Sequence, residues 1–137
     1  MCLSAFANGN STFLLHDEVL LPAWEKFTDA LSVVRSCYSK QGYITLILSD
    51  VQLNNEVKDL LLHSFTTAPL KSLTLKNNQL GSEGLKFVVN VLAACDNTLE
   101  TLYIDSNLIE SEDDAVSLVT AAESHRSIDC LMLVNYV

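Results

Sequence analysis

Residues 70–80 read LKSLTLKNNQL and contain the apolar spacing L-x-x-L-x-L, which the chain repeats elsewhere. The same spacing begins at Tyr43, Leu99 and Ile128, and the middle apolar positions of the four copies lie 27, 29 and 29 residues apart. Repeats of this length, each a strand followed by a helix, stack as successive layers. The sequence therefore predicts an internal repeat. Its reference leucines are Leu46, Leu73, Leu102 and Leu131.

The reference leucines lie in segments where apolar residues alternate with more polar ones. This period of two is typical of a strand that buries one face. We therefore expect the four leucines to form one interior column. The residue two positions further on is apolar in every copy and belongs to the same buried face: Leu48, Leu75, Ile104 and Leu133.

Residues 70–80 resemble the leucine-rich-repeat pattern L-x-x-L-x-L-x-x-N-x-L, and residues 70–85 are similar to the ribonuclease-inhibitor subfamily. The resemblance implies an α/β fold, a short horseshoe-shaped solenoid with parallel strands on the concave face and helices on the convex face. It also implies that Asn78 and Asn107 are buried and bond backbone groups in the turn after each strand.

Between the strands the apolar period lengthens to about 3.6 residues, which predicts one helix per unit. The expected start signals are Pro22, Asn54 or Asn55, Ser82, and Ser111 with Asp114 in capping-box spacing, while Pro69 stops the second helix. The expected buried faces are Ala23, Phe27, Ala30, Leu31 and Val34; Val57, Leu60, Leu61 and Phe65; Leu85, Val88, Val89 and Leu92; and Ala115, Leu118, Val119 and Ala122.

The length of 137 residues suits a single domain, which we expect over residues 1–137. The template predicts an irregular first unit at 10–42, regular units at 43–69, 70–98 and 99–127, and a final strand at 128–134 that no helix follows. A solenoid normally covers its last repeat with a polar cap, so this end would stay open. The chain is then a fragment of a longer array, or two chains meet there as a homo-oligomer, or a partner supplies the missing layer.

The composition limits the classes of molecule that we expect the chain to bind. The net charge of −9 disfavours nucleic acid, whereas a basic protein surface would be attracted. No apolar run reaches the roughly 18 residues that span a bilayer, and no secretory signal precedes the repeats, so we expect a cytoplasmic protein without a membrane segment. Cys2, Cys37, Cys95 and Cys130 have no metal-site or disulfide spacing and are expected to be reduced and buried.

The strand register also predicts which side chains leave the core and line the concave face. Tyr103 is the expected aromatic anchor, and Ile47 and Met132 have no expected duty in the core. Two rows of side chains are the predicted partner-binding site: Ile47, Thr74, Tyr103 and Met132 between the two core positions, and Ser49, Lys76, Asp105 and Val134 one pleat further on.

No motif predicts catalysis, a cofactor or a metal. The nucleophile and base candidates Cys37, Cys95, His16, His63 and His125 are not brought together by any motif, and we expect His63 on an exposed helical face and His125 in a loop. The acidic run Glu110, Glu112, Asp113 and Asp114 lacks the alternating D-x-D-x-D-G spacing of a calcium loop, and acids are favourable at a helix start.

The leading hypothesis is a protein-interaction module that binds its partner through the concave strands. Three alternatives remain open. One is a GTPase activator, as in the Ran-directed members of the subfamily. Another is an actin-regulating domain, because residues 99–109 are similar to a unit of the tropomodulin C-terminal domain. The third is a unit that assembles with copies of itself.

Overall fold

The protein is described from a computed structural model, which covers residues 2–7, 10–16, 21–37, 44–51, 53–66, 70–78, 80–95, 98–105 and 111–134. Strands and helices alternate along most of this length. The strands are β1 (Cys2–Ala7), β2 (Asn10–His16), β3 (Ile44–Ser49), β4 (Leu70–Lys76), β5 (Thr101–Asp105) and β6 (Cys130–Val134). The helices are α1 (Leu21–Cys37), α2 (Asn55–Phe65), α3 (Gly81–Ala94) and α4 (Glu112–Glu123).

The six strands form one sheet in the order of the sequence, β1-β2-β3-β4-β5-β6. Strands β2 to β6 run parallel, and β1 pairs with β2 in the antiparallel direction. Consecutive helices pack on each other, α1 on α2, α2 on α3 and α3 on α4. The α/β class predicted from the repeat is therefore confirmed, while strand β1 was not predicted.

The predicted register is confirmed where the strands pair. Leu46 pairs with Leu73, Leu73 with Leu102, and Leu102 with Leu131. The first three of these leucines are completely buried, and Leu131 is partly buried. Each layer therefore adds one leucine to a shared interior column, and the helices cover this side of the sheet. Their fully buried side chains include Leu31, Leu61, Phe65, Leu85 and Val88.

Two predicted helix starts are confirmed and two are wrong by one residue. Helix α1 begins at Leu21, one residue before the predicted Pro22. Asn54 caps α2 by accepting a bond from the Val57 N–H, and Ser111 caps α4 by accepting one from the Asp114 N–H. Helix α3 begins at Gly81, one residue before the predicted Ser82. Gly81 has a φ of 59°, a left-handed conformation that glycine adopts without steric cost.

Two predicted core positions are also wrong. On α1, Ala30 is exposed, and Trp24 is buried instead, with its ring edge-on to Phe27 at a centroid distance of 6.1 Å. On α4, Val119 is 40% exposed because it lies on the side of the helix away from α3. The expectations for Val34 and Pro69 fall on residues whose side chains or positions lie outside the described part.

Candidate protein-binding surface

One face of the sheet carries no helix in the described part of the chain. Along β3, Leu46 and Leu48 are buried on the helical side, while Thr45 and Ile47 on the other side are partly exposed. The same alternation continues in β4 and β5. We call this second side the open face and define it by the row Ile47, Thr74, Tyr103 and Met132.

The open-face row is continuous across four parallel strands. Ile47 pairs with Thr74, Thr74 with Tyr103, and Tyr103 with Met132. Neighbouring strands in a sheet lie about 4.8 Å apart, so these side chains form one strip on the surface. Met132 is 46% exposed, and the other three are partly exposed. The strip joins an aromatic ring to two aliphatic side chains, a composition that suits contact with another protein.

The second predicted row is less uniform. Its strand positions are in register, and Lys76 is exposed. Ser49, however, is only 9% exposed, and its hydroxyl donates a 2.8 Å bond to the carboxylate of Asp50. Ser49 therefore offers little exposed surface to a partner, and its role in binding stays a prediction. The side chains of Asp105 and Val134 lie outside the described part.

The turns after β3 and β4 form a polar rim beside this row. Asp50 and Asn77 occupy the same place in successive units and have left-handed φ values of 56° and 52°. Asp and Asn tolerate this conformation better than other side chains. The Asn77 amide donates to the Asp50 carboxylate, and the Asp50 N–H bonds the Lys76 carbonyl at 3.0 Å. This rim was not predicted, although the shared position of the two residues could have indicated it.

Asn78 joins one unit to the next from inside the rim. Its side chain is 6% exposed, accepts a 2.9 Å bond from the Val51 N–H and donates a 3.0 Å bond to the Leu48 carbonyl. These backbone groups belong to the preceding unit, so the amide serves groups that the strand ladder leaves over. Asn78 thus has the buried, structural environment expected of it, and Asn107 lies outside the described residues.

A second connection runs between the ends of successive helices. The Cys95 thiol contacts the Phe65 carbonyl at 3.7 Å, and His125 Nε2 lies 3.0 Å from the Cys95 carbonyl. His125 Nδ1 accepts from the Ser127 and Ile128 N–H groups at 3.2 and 3.1 Å. The imidazole proton therefore resides on Nε2, and the ring fastens the turn that leads into β6. Sequence reasoning placed His125 in a loop without detecting this role.

These contacts also bear on the residues considered for catalysis. Burial raises the pKa of the Cys95 thiol to about 12, so it stays protonated near neutral pH. Both nitrogens of His125 bond backbone groups, and His63 lies exposed on α2. Cys130 is a partly buried free thiol on β6, whereas the side chains of His16 and Cys37 are not described.

Within the described residues, no three His, Cys, Asp or Glu side chains are grouped so that they could hold a metal ion. The acids of α4 occupy its first turn, where the helix dipole favours negative charge. Among the helices described, none combines the length and apolar character needed to cross a bilayer. In comparisons with known proteins, no family model, curated protein or solved structure matches the chain.

Proposed function

We propose that the chain is a leucine-rich-repeat solenoid of the ribonuclease-inhibitor type, that it acts as a cytoplasmic protein-interaction module, and that the open face is its concave binding surface. The observation that carries the proposal is the strip Ile47, Thr74, Tyr103 and Met132, which spans four parallel strands on the side where the described residues form no helix. Tyr103 anchors the partner, and its aliphatic neighbours exclude water around it.

The stacking of like residues supports the solenoid. From β2 to β5, each unit adds one strand to the sheet and one helix to the opposite layer, and Asn78 bonds backward to the preceding unit. Contacts between neighbouring layers are the defining property of such arrays. The bonded pairs at the turns, 27 to 30 residues apart in sequence, fit this one-layer spacing.

Binding is favoured over catalysis because two of the five candidate nucleophile and base residues, Cys95 and His125, contribute to the architecture. The Cys95 thiol is buried and protonated, and His125 is committed to three backbone groups. The open face instead offers contact area. The charge of −9 favours a basic protein partner, for which electrostatic attraction speeds encounter.

The test is affinity capture from cells that express the chain. The variant Tyr103→Ala with Met132→Ala removes the aromatic anchor and the most exposed aliphatic side chain of the strip. The matched control is Glu83→Ala with Lys86→Ala, which removes an exposed ion pair at 2.9 Å on the helical side without changing the net charge. We expect the strip variant to lose a partner that the wild type and the control both retain.

Quantitative mass spectrometry of the captured proteins provides the readout. Loss of at least about 90% of one partner is the expected result, because removing an anchor from an interface typically costs 2 kcal/mol or more, and about 1.4 kcal/mol corresponds to a tenfold change. Identical partner sets for the wild type and the strip variant would reject the open face as the binding surface.

A further inference from the structure

Helix α4 has an inner side that packs into the core and an outer side that no other described element covers. Leu118 and Ala122 are buried in the core, and Ala121 lines a crevice of about 210 Å³ between α3 and α4. On the other side, Val116 is 56% exposed and Val119 is 40% exposed. In the described part of the chain, these two and Met132 are the large apolar side chains that remain exposed.

The exposed valines lie in a shallow groove along α4, with a volume of about 230 Å³. Glu112, Val116, Val119 and Glu123 follow one another at intervals of four, three and four residues, so they lie along a single helical face. With a rise of 1.5 Å per residue, the two glutamates are about 16 Å apart. We call this the outer face of α4: an apolar centre with a carboxylate at each end.

The carboxylates of Glu112 and Glu123 favour some molecules over others as the partner that covers this face. A second copy of α4 packed antiparallel would place Glu112 of each chain beside Glu123 of the other. That arrangement brings like charges together at both ends, which is unfavourable. A helix with cations at its ends and aliphatic residues between them would instead neutralise both glutamates while it covers the valines.

We propose that the outer face of α4 binds a basic, amphipathic helical segment of a partner protein. The segment carries two aliphatic side chains near its centre and a Lys or Arg at each end, about three turns apart. This surface is separate from the open face, since its residues project from a helix rather than from the strands. Binding at the outer face of α4 can therefore be tested independently of the proposed binding at the open face.

A synthetic probe tests the proposal directly. The probe is a labelled, alanine-based helical peptide with Lys at positions 1 and 12 and Leu at positions 5 and 8. A control peptide of the same composition carries its leucines on the side opposite the lysines. Fluorescence anisotropy with the full chain measures both dissociation constants. We expect saturable binding of the probe and at least about tenfold weaker binding of the control, because only the probe buries its leucines against the valines.

Variants of the chain locate the site. The isosteric pair Val116→Thr and Val119→Thr is expected to weaken probe binding about tenfold by making the centre polar. Glu112→Gln with Glu123→Gln is expected to weaken it about threefold or more, and less so at high salt. The matched control is Glu56→Gln with Asp59→Asn, which removes the same charge from an acidic groove between α1 and α2. It should change binding by less than about twofold.

Three results would overturn the proposal. One is absence of probe binding to the wild type, or equal binding of the two peptides. Another is an effect of the α2 control as large as that of the α4 glutamate pair, with circular dichroism melts showing that all variants are folded. The third is a concentration-dependent dimer that the valine variant abolishes, since this would identify a second copy as the occupant.

Discussion

The two polar atoms of the Asn78 amide connect two layers of the structure. Replacing Asn78 with Ala leaves the Val51 N–H and the Leu48 carbonyl buried without their partner. We expect the free energy of unfolding to fall by about 2–6 kcal/mol, because each of the two buried polar groups that lose their bond costs about 1–3 kcal/mol. Urea denaturation followed by circular dichroism measures the change.

Asn90 supplies the matched control for this prediction. It is an exposed residue within α3, so Asn90→Ala exchanges the same side chains without touching a buried bond. Alanine favours helix, and the control should be neutral or slightly stabilising. If the two variants had the same stability, the amide of Asn78 would not be holding the layers together.

Sequence reasoning was most successful at the residue scale where a position recurs. The role of Asn78 was predictable because an Asn at this position of the repeat is expected to form hydrogen bonds with backbone groups of the turn. The burial of Trp24 was missed because its neighbours are set by tertiary packing, which the apolar period alone does not specify. The burial of Ser49 was missed because it depends on the left-handed turn at Asp50.

At the element scale, α3 and α4 are linked by a polar contact that responds to pH. The Ser82 hydroxyl lies 2.6 Å from the Asp114 carboxylate, and bonds from Ser82 and then Ser111 hold the pKa of Asp114 below its usual 3.8. A carboxyl with a lowered folded pKa contributes stability above its unfolded value, and this is lost as the pH falls through the folded value.

We therefore expect the wild type to lose more stability than Asp114→Asn when the pH is lowered from 5 to about 2. The difference should be modest because the carboxyl is only partly buried and solvent screens its interactions. Urea midpoints measured across this range provide the test, with Asp113→Asn, a neighbouring exposed acid, as the control. Parallel pH profiles for wild type and Asp114→Asn would contradict the link between the helices.

The connection from α4 into β6 depends on one imidazole. His125→Ala removes the acceptor for the Ser127 and Ile128 N–H groups and the donor to the Cys95 carbonyl. We expect faster amide hydrogen exchange in β6, by about tenfold or more, because its entry turn loses its support. Exchange measured by mass spectrometry should be unchanged in His63→Ala, an exposed control. Equal protection of β6 in all three proteins would exclude this role.

The strands β2 to β6 and the helices were predictable because each shows a characteristic spacing of apolar residues, and most helices also have a capping residue or a proline near an end. What failed was the orientation of helices relative to their neighbours. Val119 was assigned to the core because it fits the apolar period of α4, yet that side of the helix faces no neighbour in the described structure. The period reports that a face is apolar and does not report what covers it.

At the scale of the whole molecule, stability should depend on position within the stack. Leu73 is completely buried with a strand on either side, whereas Leu131 pairs on one side and is only partly buried. Leu73→Ala should lower the free energy of unfolding by about 2–5 kcal/mol, and Leu131→Ala by about half of that or less. Urea denaturation of both variants measures the difference, and equal costs would contradict a layered core.

The layered architecture was predictable as a whole because its evidence is distributed over four units, so an error in one unit does not affect the others. The first strand was not predicted because it has no counterpart in the other units. Strand β1 belongs to no repeat, and its antiparallel pairing with β2 follows from a short connection, residues 8–9, rather than from a periodic pattern.

The β1–β2 hairpin makes the two ends of the described sheet different. Only residues 8–9 separate β1 from β2, so within the described residues the helical layer begins after β2, with α1. If copies were lined up end to end by simple translation, the newcomer would offer β6 a strand but would leave α4 facing a gap. A translated copy of the described residues would therefore not continue the strand layer and the helix layer together.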